Sequence, residues 1–161
     1  MRKRTLVIGS VILVGLGIAW YLFRPELLFI DSTVDESFPS SPAAEHAVLA
    51  QGRFHSVAHE SKGIATVYRL ADGRRVLRFT QFQTSNGPDV RVYLVAAADA
   101  RDSRAVLDAG FIELGSLKGN KGDQNYELPA DMDLNKYRAA TIWCKRFSVN
   151  FATAPLARQG S

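Results

Sequence analysis

From about residue 48 onward, apolar side chains recur at every second position in short runs, and turn-forming residues separate the runs. The runs at 52–59, 64–70, 76–82, 90–98, 111–117, 125–128, 139–144 and 147–151 are rich in Val, Ile, Phe and Tyr, which is the pattern of half-buried strands. About eight strands are predicted. The punctuation agrees, because Asp72-Gly73, Asn86-Gly87-Pro88-Asp89, the stretch 118–123 and Pro129-Ala130-Asp131 supply Gly and Asn for positive φ or Pro for fixed φ. Only 99–109 offers a helical turn. Closely spaced strands without an internal repeat predict one all-β domain over 48–158, an antiparallel β-sandwich or small barrel around a single core.

The first 47 residues break this period. Arg2, Lys3 and Arg4 precede an uncharged, mostly apolar run at 5–23, which as a helix reaches about 28 Å and nearly matches a bilayer's hydrocarbon core. The run predicts one N-terminal transmembrane helix. A cleaved signal peptide has an apolar region of about 7 to 15 residues; this run is longer, and its only small-x-small candidate, Gly17-Ile18-Ala19, lies inside it. The basic tip at 1–4 is expected to stay cytoplasmic, and Trp20 with Tyr21 falls at the outer interface, which sends the remaining chain to the extracytoplasmic side. Residues 24–47 read as a tether, with Pro25, Pro39 and Pro42, Ser40-Ser41, five acids and no sustained period. The apolar patch 27–30 either continues the helix or packs on the domain.

Charge, taken by region, changes the picture little. The formal net charge of +4 divides into +3 at the tip, −4 over 24–45 and +5 over 46–161. The domain is mildly basic. Its Lys and Arg residues are scattered among acids and no nucleic-acid motif accompanies them, so they predict a solvated surface and no nucleic-acid partner.

The candidate chemistry begins with Cys144, the single cysteine. Unable to close an intramolecular disulfide, it is an inert core residue, an intermolecular partner, or a thiol kept for its chemistry. On a strand, Ile142, Cys144 and Arg146 share one face and Trp143 and Lys145 the other, unless a bulge intervenes at Lys145-Arg146-Phe147. A cation beside a partly exposed thiol favours reactive thiolate, whereas burial leaves the thiol inert. His55 and His59, four apart, would lie about 13 Å apart on a strand, too far to share a metal. Either one joined to Cys144 would make a Cys/His copper or haem ligand set, but nothing in the sequence brings them together, and the cofactor stays unnamed. His46 sits at the tether boundary and offers less.

Other motifs read as turns. Asp131-Met132-Asp133-Leu134-Asn135 opens like a calcium loop, yet Lys136 stands where that loop needs Gly and Ile142 where it needs Glu. It predicts a turn leading to Tyr137. Asn86-Gly87-Pro88-Asp89 predicts a tight loop before a strand. Gly119-Asn120-Lys121-Gly122 has amides for an anion but neither P-loop spacing nor a following helix. No nucleophile elbow, zinc-binding helix or Ser/His/Asp constellation supports a hydrolase, and Phe79, Tyr93, Tyr126 and Trp143 read as core aromatics.

Several separated strings recur in an order that resembles one known family. Leu77-Arg78-Phe79 with Phe82, then Thr84-Ser85-Asn86-Gly87-Pro88-Asp89-Val90 and Val92-Tyr93-Leu94, resemble the DM13 domain. So do Leu114-Gly115, Leu117-Lys118-Gly119, Gly122-Asp123-Gln124, Tyr126, Leu128-Pro129, Leu134, Tyr137 and Ile142-Trp143-Cys144. The resemblance implies a β-sandwich module of secreted and membrane-anchored proteins, with electron transfer through its single cysteine. Two readings follow. The chain is a membrane-tethered redox module in which Cys144 passes electrons, as a thiol or as a ligand to a metal or haem supplied by a partner protein. Alternatively it is a non-catalytic extracytoplasmic binding or assembly domain in which Cys144 is buried and structural.

Overall fold

The structure is a computed structural model that describes residues 2–23, 30–39 and 46–158. Along the chain run α1 (Arg2–Phe23), β1 (Thr33–Asp35), β2 (Ala47–Arg53), β3 (His55–Ser56), β4 (Lys62–Arg69), β5 (Arg75–Gln83) and β6 (Val90–Val95). There follow α2 (Ser103–Ala109), β7 (Phe111–Ser116), β8 (Lys121–Leu128), β9 (Ala139–Cys144), β10 (Val149–Pro155) and β11 (Ala157–Arg158). One sheet has the order β1-β8-β5-β4-β2-β11 and the other β3-β10-β9-β6-β7. Both are open, so the domain is a sandwich rather than a barrel.

Apolar side chains from the facing surfaces make the main core, in which Val67, Leu77, Phe79, Val92, Leu94, Ile142 and Cys144 are fully buried. The second sheet is covered on its outer face as well. There Tyr93, Val95, Ala139 and Trp143 pack with Val106 of α2 and with Ala100. Asp102 caps α2, its carboxylate accepting from the Ala105 amide, which fixes where the helix starts over the sheet. Because β9 is buried on both faces, it shows an apolar run interrupted only by Thr141, whose hydroxyl bonds that of Thr153, instead of alternation.

The eight expected strands are found, with changed limits, among eleven strands in the described residues. The span 52–59 divides between β2 and β3, β8 starts earlier than expected, and β10 starts later because 145–148 form an exposed turn. Within the stretch read as a tether, β1 pairs in parallel with β8, so the sandwich is not wholly antiparallel. The helical turn expected within 99–109 is α2. The patch at 27–29 and the Ser40-Ser41-Pro42 stretch lie outside the described residues.

The N-terminal run does form a helix, α1, and every large apolar side chain described on it is exposed. Among the described residues, however, no helix is long and apolar enough to cross a membrane.

Candidate functional site

Cys144 ends β9, with Val149 of β10 opposite on one side and Val90 of β6 on the other. Cross-strand partners of this kind stand about 5 Å apart at Cβ and share a face. The thiol therefore lies in the main core, without solvent exposure. Trp143, one residue earlier, points to the opposite face and is buried there. The expected division of Ile142 and Cys144 from Trp143 holds.

Arg146 does not share Cys144's face. The strand stops at Cys144 and the chain turns through 145–148, with Ser148 at φ 53. The Lys145 amide donates to the Asp89 carbonyl at 2.8 Å, which pins the turn to the loop before β6. Both cations are diverted: the Lys145 ammonium binds Glu113 at 3.0 Å, and the Arg146 guanidinium donates to the Leu22 carbonyl at the end of α1. No cation faces the sulfur from its own strand.

Beside this turn, among the described residues, the end of the sandwich is open. A recess of about 210 Å³ lies between the 86–88 loop and Phe147, Val149, Phe151 and His59. Val149 is the residue opposite Cys144, so the recess is one side-chain layer from the thiol. The His59 ring lies tilted against Phe151 with centroids 3.8 Å apart, and burial lowers its pKa, which favours the neutral imidazole.

The histidines do not assemble with Cys144 as ligands. His55 Nε2 lies 2.7 Å from Asp99 and pairs in register with Thr153 of β10, which faces Thr141, three residues before Cys144. His59 is set against Phe151. Among the described residues no three His, Cys, Asp or Glu side chains gather as a metal site would need. A buried sulfur walled by Val90 and Val149 does not fit a copper or haem ligand set.

The remaining motifs have structural uses. Asp133 accepts from the Asn135 amide with its side chain and from the Tyr137 amide with its carbonyl, so the calcium-like string is a turn. The Asn86 side chain accepts from the Gly87 amide at 2.8 Å and donates to the Ile30 carbonyl at 3.2 Å. Phe79, Tyr93, Tyr126 and Trp143 are all core residues.

The loop 119–122 proves to be a dock for the segment after α1. Asn120, buried, accepts from the Ser32 amide at 2.7 Å and donates to Asp31 at 2.9 Å and to the Thr84 carbonyl at 3.1 Å. Lys121 pairs with Asp31, and Lys118 with Glu36 at 2.7 Å. Burial alone would raise the Glu36 pKa, but the Lys118 ammonium and the Asn125 amide hold it below its ordinary value. At Gly122, φ is +94° and a Cβ would stand 2.0 Å from the Val34 carbonyl oxygen, so only glycine lets β1 approach. Sequence reasoning missed this dock. The signal was present as acids at 31 and 36 facing lysines at 118 and 121, without a period to mark the strand.

A family model described as "Electron transfer DM13" matches residues 53–156, well over half of the chain. No curated protein matches. No solved structure matches either.

Proposed function

The chain belongs to the DM13 electron-transfer family, and from that premise we propose that it is a membrane-tethered redox module whose working group is Cys144. The anchor reading is supported by α1, which begins with Arg2, Lys3 and Arg4 and then carries apolar side chains on every side; in water such a helix would have to be buried. Arg2, Lys3 and Arg4 favour a cytoplasmic N-terminus and an extracytoplasmic domain.

The single observation that carries the redox reading is the family match, taken with the position of Cys144 at the open end of the sandwich beneath an exposed turn. The chemistry open to a lone thiol is reversible two-electron oxidation: to a sulfenic acid by a peroxide, which is reduced to water, or to a mixed disulfide by attack of the thiolate on a partner's disulfide, whose second sulfur leaves as a thiolate. Full burial requires the turn at 145–148 to open before the sulfur can react. That gate would protect the thiol between encounters.

Complete burial also favours the second reading, a binding or assembly domain with a structural cysteine, since free cysteine behaves as a small hydrophobe when enclosed. One experiment separates the two. Membranes carrying the full chain are poised from reducing to oxidising, quenched in acid and alkylated, and the Cys144 peptide is weighed. The redox reading predicts a mass change that reverses with the poise. A peptide that stays fully reduced at every poise leaves the structural reading.

A further inference from the structure

We propose that the recess at the open end of the sandwich binds the ring of a membrane-resident quinone. The inference rests on the anchored, electron-transfer reading and adds a ligand class and a site to it.

Chain length places the recess toward the membrane. The last residue of α1 is Phe23, and Ile30, seven residues on, is held by Asn86 of the recess loop. Seven extended residues span at most about 25 Å. Arg146, in the turn over the recess, binds the Leu22 carbonyl directly. With α1 as an anchor, this end of the domain faces the outer interface, where an apolar electron carrier dissolved in the bilayer presents its head.

The recess has the size and walls for one flat ring. Its volume of about 210 Å³ is below the range of roughly 300–1,000 Å³ typical of drug-sized pockets, too small for the paired chains of a phospholipid. Phe147, Phe151 and Pro88 supply flat apolar surfaces, and the His59 ring lies against Phe151. A neutral imidazole offers one N–H to a quinone carbonyl and one lone pair to a quinol hydroxyl. The same side chain serves both redox forms. Through Val149 the bound ring would stand next to the residue opposite Cys144.

The test uses the full chain in lipid nanodiscs with decyl-substituted benzoquinone as the probe, and reads the His59 ring resonance by NMR. Saturable movement of that resonance is expected. Val149→Trp, which fills the recess, and Phe147→Ala, which removes one of its walls, should each weaken binding roughly tenfold or more. Two results would overturn the proposal: equal binding by wild type and the folded Phe147→Ala variant, or the same resonance position in discs with lipid alone, which would make an acyl chain the occupant. Binding is read without electron flow. Quinone binding in a chain whose Cys144 never oxidises would keep this site and remove the redox reading, and oxidation of Cys144 without quinone binding would do the reverse.

Discussion

Cys144 and Trp143 are neighbours in sequence and occupy opposite sides of the same sheet, each fully covered. Their alternation was legible from strand periodicity alone. Their common burial was not, because it depends on α2 and the 96–102 segment closing over the outer face. Cys144→Ser puts a hydroxyl where Val90 and Val149 offer no partner, and is expected to cost about 1–3 kcal/mol, read as a lower denaturant midpoint with an unchanged slope. The native thiol should alkylate slowly, at a rate set by local opening rather than by reagent concentration. Fast labelling proportional to reagent would show that the turn at 145–148 does not gate it. Tyr126 donates to Gln124 at 2.7 Å, and burial raises its pKa; Tyr126→Phe should cost about 1 kcal/mol.

The strand β1 shows why one element escaped the sequence. Three residues long and polar at both ends, it has no period of its own, and it exists because β8 presents an edge and Gly119-Asn120-Lys121-Gly122 a set of partners. The same polar loop hid the start of β8, which was read as a turn. Gly122→Ala is expected to release β1, costing at least about 1 kcal/mol for the left-handed backbone alone, and limited proteolysis should then cut within 30–39 faster than in wild type. The dock is also pH-sensitive. Asp31 is held below its ordinary pKa by Lys121 and Asn120, and Glu36 by Lys118 and Asn125 against the cost of its burial. A depressed folded value means stability that is complete above the unfolded pKa of about 4 and is lost as pH falls through the folded values. The amide resonances of Thr33–Asp35 should therefore move toward unstructured positions below about pH 4 before the core resonances do. Simultaneous loss would show that the dock is no separate unit.

At the scale of the molecule, the sandwich was legible because five of the eight runs sat on one strand each with little change, namely 64–70, 76–82, 90–98, 111–117 and 139–144. Sheet order and the dock were not, since pairing between distant strands is set by three-dimensional fit and not by local pattern. The site followed the same division: the reactive residue type was visible, while its burial, the loss of Arg146 to the turn and the recess behind Val149 required the fold. On the reading proposed above, Cys144 is a buried thiol gated by a turn, on a domain held close to a membrane. A chain beginning at residue 30 should keep the cooperative unfolding of the domain and leave the membrane fraction; its retention there would place membrane attachment in the domain itself.

The most direct measurement is complementation of a deletion strain by Cys144→Ser expressed at the wild-type level, under oxidative stress. The redox account predicts that the variant reaches the membrane, stays folded and fails to complement. A Cys144→Ser protein that is destabilised yet complements fully would contradict it, and would make this a tethered binding domain with a structural cysteine.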